Sequence, residues 1–257
     1  MSAGARIEEA HTDDAFLGGA LSILQPSGGY RAGLDAVLLA AAVPSAGRIL
    51  DLGAGAGTVG LCAARRLSGA RVTLVERNAD LAGLAEENAR RNGLADRVDV
   101  IVADVTAPLA QALQLAPLSG SFDHVVANPP YNIDDDGTLP PDTGKAAAHS
   151  MPAGTLDRWL RAAAAMARAG GTVTLIHRAD ALGEALAAFD GRFGGVIVFP
   201  LFPRTGASAS RILLQGVKGS RARPVVRPGL VLHGAGNAFS KDAEAILRLG
   251  QGLSLAG

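Results

Sequence analysis

The sequence predicts an α/β fold with a mostly parallel sheet of seven strands and an antiparallel pair at one edge. Short apolar segments rich in Val, Ile and Leu alternate with longer segments of helical periodicity. A glycine-rich turn joins the first apolar segment to its helix, and the last two apolar segments have no helix between them. Parallel sheets of this kind are covered on both faces and bind ligands beyond the carboxyl ends of their strands.

The predicted elements follow one another in a regular order. The expected strands are 48–52, 71–76, 98–102, 122–127, 172–177, 196–199 and 212–217. The expected helices are 58–67, 79–92, 156–167, 181–189 and 241–249. These elements divide the chain into an N-terminal segment (1–45), a main domain (46–220) and a basic C-terminal extension (221–257) packed on that domain. Within the first segment, 16–43 is expected to form a turn and a helix that act as a lid over the glycine-rich turn.

Composition restricts the classes of protein that this chain can belong to. The 24 basic and 24 acidic side chains cancel, which argues against a protein that coats nucleic acid through bulk charge. Cys62 is the single cysteine, so an intramolecular disulfide is impossible, and its apolar surroundings predict a core position. The first 14 residues lack the apolar segment of a secretory signal, and no apolar run is long enough to span a bilayer. We therefore expect a cytoplasmic protein without membrane contact.

A cofactor pattern begins at the end of the first strand. Asp51 is followed by Gly53, Gly55 and Gly57, which allow the backbone to turn sharply and to approach a ligand closely. Glu76 ends the second strand, where a carboxylate can bind both hydroxyls of a ribose, and Asp104 follows the third strand, where it can meet an adenine. The spacing fits S-adenosylmethionine, but the run from Gly55 onward also matches the dinucleotide fingerprint of NAD.

A second motif, Asn128-Pro129-Pro130-Tyr131, follows the fourth strand directly. The prolines end the strand because they lack an N–H donor and fix φ. The lone pair of a planar amino group is delocalised, and two acceptors aimed at its hydrogens make that lone pair available. The side-chain oxygen of Asn128 and the carbonyl of Pro129 can be those acceptors, while Tyr131 can stack on the planar group. This chemistry favours a methyl donor over NAD and requires no metal.

With these two motifs the sequence resembles the class I, Rossmann-like methyltransferases that modify exocyclic or amide nitrogens. The upstream segment 29–40 makes it similar to the small-domain group typified by bacterial tRNA1(Val) adenine-37 N6-methyltransferases. The resemblance implies that S-adenosylmethionine is the cofactor, held by the residues of the glycine-rich turn, Glu76, Asp104 and Asn128. It also implies that Tyr30 covers the cofactor and that the Asn128–Tyr131 motif holds the acceptor.

The acceptor itself is expected to be adenine N6 in RNA, most plausibly tRNA. Residues 202–250 contain eight basic and two acidic side chains, and we expect Arg204 and Arg211, with Arg31, to bind RNA phosphates. The acidic run 134–136 within 132–149 is unfavourable beside a phosphate backbone. Protein glutamine and guanine N2 stay open as acceptors, because both fit the same Asn-Pro-Pro-Tyr chemistry. An NAD-dependent oxidoreductase and a non-catalytic RNA-binding module are the alternatives of other classes.

Two histidines and the acidic run could suggest further sites. His177 ends the fifth strand and could face the site, but a structural role is the better interpretation for it and for His149. The acids of 134–136 have no partner ligands nearby in sequence, so a solvated loop is expected and no metal is predicted.

Overall fold

A computed structural model describes residues 11–28, 31–107, 115–130, 154–234 and 236–256 of the chain. Nine strands of these residues form one central sheet, and two more form a separate hairpin. The strands of the central sheet are β3 (Arg48–Leu52), β4 (Arg71–Glu76), β5 (Val98–Val102), β6 (Phe122–Ala127), β7 (Ala167–Arg178), β8 (Phe193–Arg204), β9 (Arg211–Lys218), β10 (Val225–Val226) and β11 (Leu230–His233).

The strand order of the central sheet is β10-β8-β9-β7-β6-β3-β4-β5, with β11 also paired to β8. Only β9 runs antiparallel to its neighbours β7 and β8, and every other pair is parallel. The mostly parallel α/β fold is therefore confirmed. The predicted number of seven strands is wrong, because β10 and β11 pair with β8 and extend the sheet. Pro224 and Pro228 interrupt this part of the sequence, so no strand pattern was visible in it.

Helices cover both faces of the sheet. They are α1 (Leu34–Ala41), α2 (Thr58–Arg66), α3 (Ala79–Arg91), α4 (Thr155–Met166), α5 (Leu182–Phe189) and α6 (Lys241–Leu249). One apolar core includes buried side chains of α1, α2, α3 and α6, and the second includes those of α4 and α5. Cys62 is buried in the first core, as predicted. Among the described helices, none combines the length and the apolar character that a membrane span requires.

The N-terminal segment differs from its prediction. Residues 16–43 were expected to form a turn and a helix, and α1 is indeed present, but a β-hairpin precedes it. The hairpin consists of β1 (His11–Phe16) and β2 (Leu21–Pro26) in antiparallel register. Leu21 and Ile23 are buried while Ser22 and Leu24 are half-buried, which is the alternation of a strand with one face on the core. Gly18 and Gly19 adopt positive φ in the connection, as a tight turn requires.

β7 and β8 are longer than predicted. β7 begins at Ala167 rather than at residue 172, and β8 begins at Phe193 and continues to Arg204. The missed parts contain Gly170–Gly171 and Gly194–Gly195, and glycine is unfavourable in strands and obscures their pattern. The register of β8 against β9 shifts between Gly194 and Ile197, so the second glycine pair accompanies a local irregularity in the ladder.

Candidate active site

The register of the central sheet brings three of the predicted site residues into one row. Leu52 of β3 pairs with Ala127 of β6 on one side and with Val75 of β4 on the other. The next residue of each strand or of the turn behind it is Gly53, Asn128 or Glu76. These three residues therefore lie side by side at the carboxyl edge of the sheet, where ligands of such folds bind.

The glycine-rich turn is held in place by backbone hydrogen bonds. The N–H of Ala54 donates to Val75 O at 2.9 Å, and the N–H of Gly57 donates to Ala54 O at 2.8 Å. Gly53, Gly55 and Gly57 all have positive φ, a conformation that favours glycine. Among the described residues, no atom lies within 4 Å of a methyl group placed on Gly55, so these residues leave space for a ligand there. The turn thus fits a cofactor that approaches the backbone closely.

Packing against neighbouring side chains also favours glycine at positions 53 and 57. A methyl group on Gly53 would collide with the indole of Trp159, a buried residue of α4. A methyl group on Gly57 would lie 3.0 Å from Leu74 and 3.2 Å from Ala85. Trp159 therefore packs directly against Gly53 from the α4 side, a contact that the sequence pattern did not predict. Its position as the one tryptophan of the chain, on an alanine-rich helix, was the available signal.

Glu76 is 8% exposed and faces the turn. Its Oε2 accepts a hydrogen bond from the N–H of Gly55 at 2.9 Å, and its Oε1 accepts one from the N–H of Asn78 at 2.9 Å. Each carboxylate oxygen can accept a second hydrogen bond, so the group can still bind ribose hydroxyls while it orders the turn. Asn78 in turn caps α3, because its side chain accepts hydrogen bonds from the next turn of backbone.

Asp51 lies behind the turn rather than in the open part of the site. It is 1% exposed, and its Oδ2 accepts a hydrogen bond from the N–H of Gly60 in α2 at 2.9 Å. Burial raises the pKa of Asp51 to about 7, the Gly60 hydrogen bond opposes this rise, and the negative charge of Glu76 adds to it. Asp51 therefore holds the start of α2. It would influence a bound ligand only indirectly, through the backbone of the glycine-rich turn.

Asp104 and the Asn128 motif complete the described part of the edge. Asp104 is exposed, and its Oδ1 accepts hydrogen bonds from the N–H and the hydroxyl of Thr106, both at 2.7 Å. Asn128 is half-buried, Pro129 is buried and Pro130 is exposed. The motif therefore begins, at Asn128, at the same level of the sheet edge as Gly53 and Glu76.

Several predicted residues lie outside the described part of the chain. These are Tyr30, Tyr131, His149 and the acids of 134–136. His177, by contrast, is described and is 4% exposed. Burial lowers its pKa, which favours the neutral imidazole of a core histidine. Over the described ranges, no group of three or more metal-ligating side chains comes together.

The three arginines predicted to bind substrate all contact other groups of the protein. Arg31 forms an ion pair with Asp14 of β1, in which its Nη2 donates to both carboxylate oxygens, at 2.6 and 2.7 Å. Arg211 donates to Asp35 of α1 at 2.9 Å. Arg204 is exposed and donates to the carbonyl of Gly236 and to Asn237 Oδ1.

Their places in the sheet bear on the RNA prediction. Arg211 pairs with Arg178 at the end of β7, and Arg204 ends β8, so both lie at the same carboxyl edge as Asn128. Lys218 pairs with Phe193 at the opposite edge, and Arg221 and Arg223 follow it there. The basic C-terminal third of the chain is therefore divided between the two edges.

The fold and the carboxyl-edge site together define a class I methyltransferase. Comparison with known proteins agrees, because the family described as "Methyltransferase small domain" matches residues 33–181, more than half of the chain. The chain therefore belongs to the methyltransferase small-domain family. This membership assigns it to the enzymes that use S-adenosylmethionine.

Individual relatives show how far the similarity extends. The tRNA1(Val) (adenine(37)-N6)-methyltransferase of Bacteroides thetaiotaomicron is 33% identical over 153 residues, which are 58% of this chain and 60% of that protein. The release factor glutamine methyltransferase of Chlorobaculum tepidum is 40% identical over 84 residues, 32% of this chain and 27% of that protein. The matched segments thus span less than two thirds of these curated relatives.

A solved structure matches over more of the chain. The predicted O-methyltransferase Atu636 of Agrobacterium tumefaciens is 32% identical, covers 86% of this chain and 98% of its own, and superposes with a TM-score of 0.72. An O-methyltransferase of Thermotoga maritima, 17% identical with a TM-score of 0.52, shares the fold. Both solved structures are therefore similar to this chain in fold.

We expect Glu76→Ala to weaken S-adenosylmethionine binding by about 1.5–3 kcal/mol, because it removes a charged acceptor from the position predicted to bind the ribose. Isothermal titration calorimetry measures this change. Asp80→Ala, which alters an exposed acid in the first turn of α3, is the matched control and should bind normally. Equal affinities of the two variants would contradict the assigned role of Glu76.

Asp51 should make the unfolding free energy depend on pH. The pKa of its carboxyl is about 7 in the folded protein against an ordinary 3.8, so the folded state binds the extra proton between these values. The contribution of Asp51 to the unfolding free energy should therefore fall as pH rises from about 4 to about 7, by up to about 1.4 kcal/mol per pH unit. Buried histidines such as His177, whose pKa is lowered, contribute with the opposite sign. Asp51→Asn should remove the Asp51 contribution, measured as the difference from the wild type in denaturant titrations of the ligand-free protein.

Asp104→Asn serves as the control for this pH experiment. Burial opposes ionisation of Asp104, but the hydrogen bonds from Thr106 outweigh it and lower its pKa. Its substitution should leave the slope from pH 4 to 7 in place. A wild-type slope that survives in Asp51→Asn would assign the titration to another group.

Proposed function

We propose that this protein transfers a methyl group from S-adenosylmethionine to a planar amino nitrogen, most directly to adenine N6 in tRNA. The observation that carries the proposal is the adjacency of Asn128 and Gly53 at the ends of paired strands. A cofactor bound over the glycine-rich turn and an acceptor held by Asn128 would therefore be neighbours. Such positioning contributes a large part of the acceleration in a transfer between two bound molecules.

The residues of the motif suit an amine acceptor. Bound S-adenosylmethionine supplies an electrophilic methyl group. Asn128 Oδ1 and the carbonyl oxygen of Pro129 accept hydrogen bonds from the two N–H groups of the amine. These bonds strengthen as the nitrogen loses conjugation and becomes positively charged, so they stabilise the transition state more than the ground state. The methylated nitrogen then releases one proton to water, and S-adenosylhomocysteine would be the leaving group. The rigid Pro-Pro backbone keeps the carbonyl in place without reorganisation.

An oxygen acceptor fits the same residues less well. A hydroxyl must lose its proton as it is methylated, and this needs a base near the acceptor. Asn128 and Pro129 offer acceptors of hydrogen bonds but no group that takes a proton at neutral pH. The "predicted O-methyltransferase" title of the Agrobacterium tumefaciens structure describes that protein, and the Asn-Pro-Pro motif here supports nitrogen.

Transfer to tRNA is supported by two further observations. The Bacteroides thetaiotaomicron relative, named a tRNA1(Val) (adenine(37)-N6)-methyltransferase, is 33% identical over 153 residues. Arg204 and Arg211 lie at the carboxyl edge, where they can reach the phosphates of an RNA whose base enters the site. Arg31, paired with Asp14 on the hairpin, is the third candidate for such a contact.

A glutamine side chain is the second candidate acceptor. Its amide nitrogen is as planar and as poorly nucleophilic as an adenine amine, so the same pair of acceptors can hold it. The Chlorobaculum tepidum release factor glutamine methyltransferase is 40% identical over its matched segment. The two acceptors differ in what surrounds the amine, which is a charged RNA in one case and a protein loop in the other.

The purified protein is incubated with labelled S-adenosylmethionine and either bacterial tRNA or, in a parallel reaction, a bacterial release factor. The label should appear in N6-methyladenosine of the tRNA, identified by nucleoside mass spectrometry. Asn128→Ala should lower kcat at least about 100-fold and weaken cofactor binding much less, because Asn128 contacts the acceptor amine more than the cofactor. Label on a release factor glutamine would favour the second candidate. Label on a hydroxyl, or full activity of Asn128→Ala, would contradict the amine mechanism.

The basic groups at the two edges make the RNA proposal testable through salt dependence. Arg204→Ala should reduce the slope of log tRNA affinity against log salt by just under 1, since one phosphate contact is lost. Arg223→Ala is the matched control, because Arg223 is an exposed arginine near the opposite edge. Its slope should equal that of the wild type. Equal slopes for both variants would remove Arg204 from the RNA contact.

A further inference from the structure

The N-terminal hairpin is attached to α3 by two asparagine side chains instead of a neighbouring strand. Asn88 Oδ1 accepts from the N–H of Leu24 at 2.8 Å, and Asn88 Nδ2 donates to Leu24 O at 2.9 Å. Asn92, one turn later, makes the same pair of bonds to Ser22 at 3.0 and 2.8 Å. The two amides therefore satisfy the backbone groups of β2 in the way that a paired strand would.

Asn88 also reaches the glycine-rich turn. Its Nδ2 donates a second hydrogen bond, at 3.0 Å, to the carbonyl of Ala56. Ala56 lies between Gly55 and Gly57, and Asn88 itself is 0% exposed. One buried side chain thus bonds the hairpin and the candidate cofactor turn at the same time, whereas the side chain of Asn92 bonds Ser22 and the carbonyl of Asn88.

The hairpin in turn holds the chain that leads into α1. The side chain of Gln25 accepts from the N–H of Ala32 at 2.7 Å and donates to its carbonyl at 3.1 Å. The ion pair of Arg31 with Asp14 adds a second connection. Displacement of the hairpin would therefore move residues 31 and 32, and it would remove Leu24 from the amide of Asn88 that also bonds the Ala56 carbonyl.

We propose that Asn88 is a positioning residue that couples docking of the β1–β2 hairpin to cofactor binding. A cofactor that binds the ordered turn favours the arrangement in which Ala56 O meets Asn88. This arrangement is also the one in which Asn88 holds β2. By linkage, the docked hairpin strengthens cofactor binding to the same degree as the cofactor stabilises the docked hairpin. The inference rests on the proposed use of S-adenosylmethionine at the glycine-rich turn.

The first test compares Asn88→Ala with Asn92→Ala. Asn88→Ala leaves Ala56 O and both backbone groups of Leu24 without their partner, and buried groups of this kind are costly. We expect S-adenosylmethionine to bind about 10-fold more weakly to this variant. Asn92→Ala loosens the same hairpin without touching the turn, and its affinity should change less than about 3-fold. A KM for the cofactor that rises while kcat is retained separates positioning from a general loss of structure.

The second test uses the wild-type protein, so it does not depend on whether a variant folds. Amide hydrogen exchange of Ser22 and Leu24 should become slower, by the same factor for both, when S-adenosylhomocysteine is added. Unchanged exchange with bound ligand, or a cofactor affinity of Asn88→Ala equal to that of the wild type, would overturn the coupling. Absence of ligand binding by the wild type would instead contradict the proposed function, which keeps the two failures distinct.

Discussion

The pairing of β3 with both β4 and β6 is the constraint on which the site depends. Because Leu52, Val75 and Ala127 share one register, the residues that follow them meet at one height on the sheet. A shift of β6 by one residue would move Asn128 by about 3.3 Å and turn its side chain to the other face. The interior of β3 is buried on both sides, so such a shift would also expose core side chains. The core of the protein therefore fixes the distance between the two halves of the site.

The same edge carries two buried acids at an energetic cost. The carboxyl of Asp51 is fully enclosed, and the charge of Glu76 makes its ionisation still less favourable. The protein offsets part of this cost with backbone N–H groups of Gly55, Gly60 and Asn78. These bonds also fix the turn and the start of α2. The two acids therefore lower the stability of the fold, but they also order the backbone at which a ligand would bind. Functional sites commonly combine lower stability with a well-ordered backbone.

The parts of the fold that the sequence predicts well are those with the simplest pattern. β3 to β6 were predicted with their observed bounds, because continuous apolar runs between turn signals leave few alternatives. The glycine-rich turn and the Asn128 motif were recognised for the same reason, since both directly follow such a strand. The hairpin was missed because β1 is polar and contains Asp13 and Asp14, whose partners are arginines distant in the sequence.

Other features depend on contacts that no local pattern encodes. Trp159 is separated from Gly53 by more than a hundred residues and meets it only because α4 packs on the sheet beside β6 and β7. Asn88 appears in the sequence as one polar residue of an amphipathic helix. Its function as a link between β2 and the glycine-rich turn requires the position of a hairpin that was not predicted. Long-range polar contacts of this kind follow from the assembled fold rather than from periodicity.

Position in the sheet distinguishes the arginines more clearly than their number does. Arg66 and Arg97 point their guanidinium groups at carbonyls around the carboxyl ends of α1 and α2, where cations are favourable, and their role is structural. Arg211 is engaged by Asp35, which connects β9 with the first turn of α1. Arg204 is exposed at the carboxyl edge and contacts neutral groups. A phosphate can therefore approach Arg204 without first separating it from a carboxylate, whereas Arg211 would have to exchange one anionic partner for another.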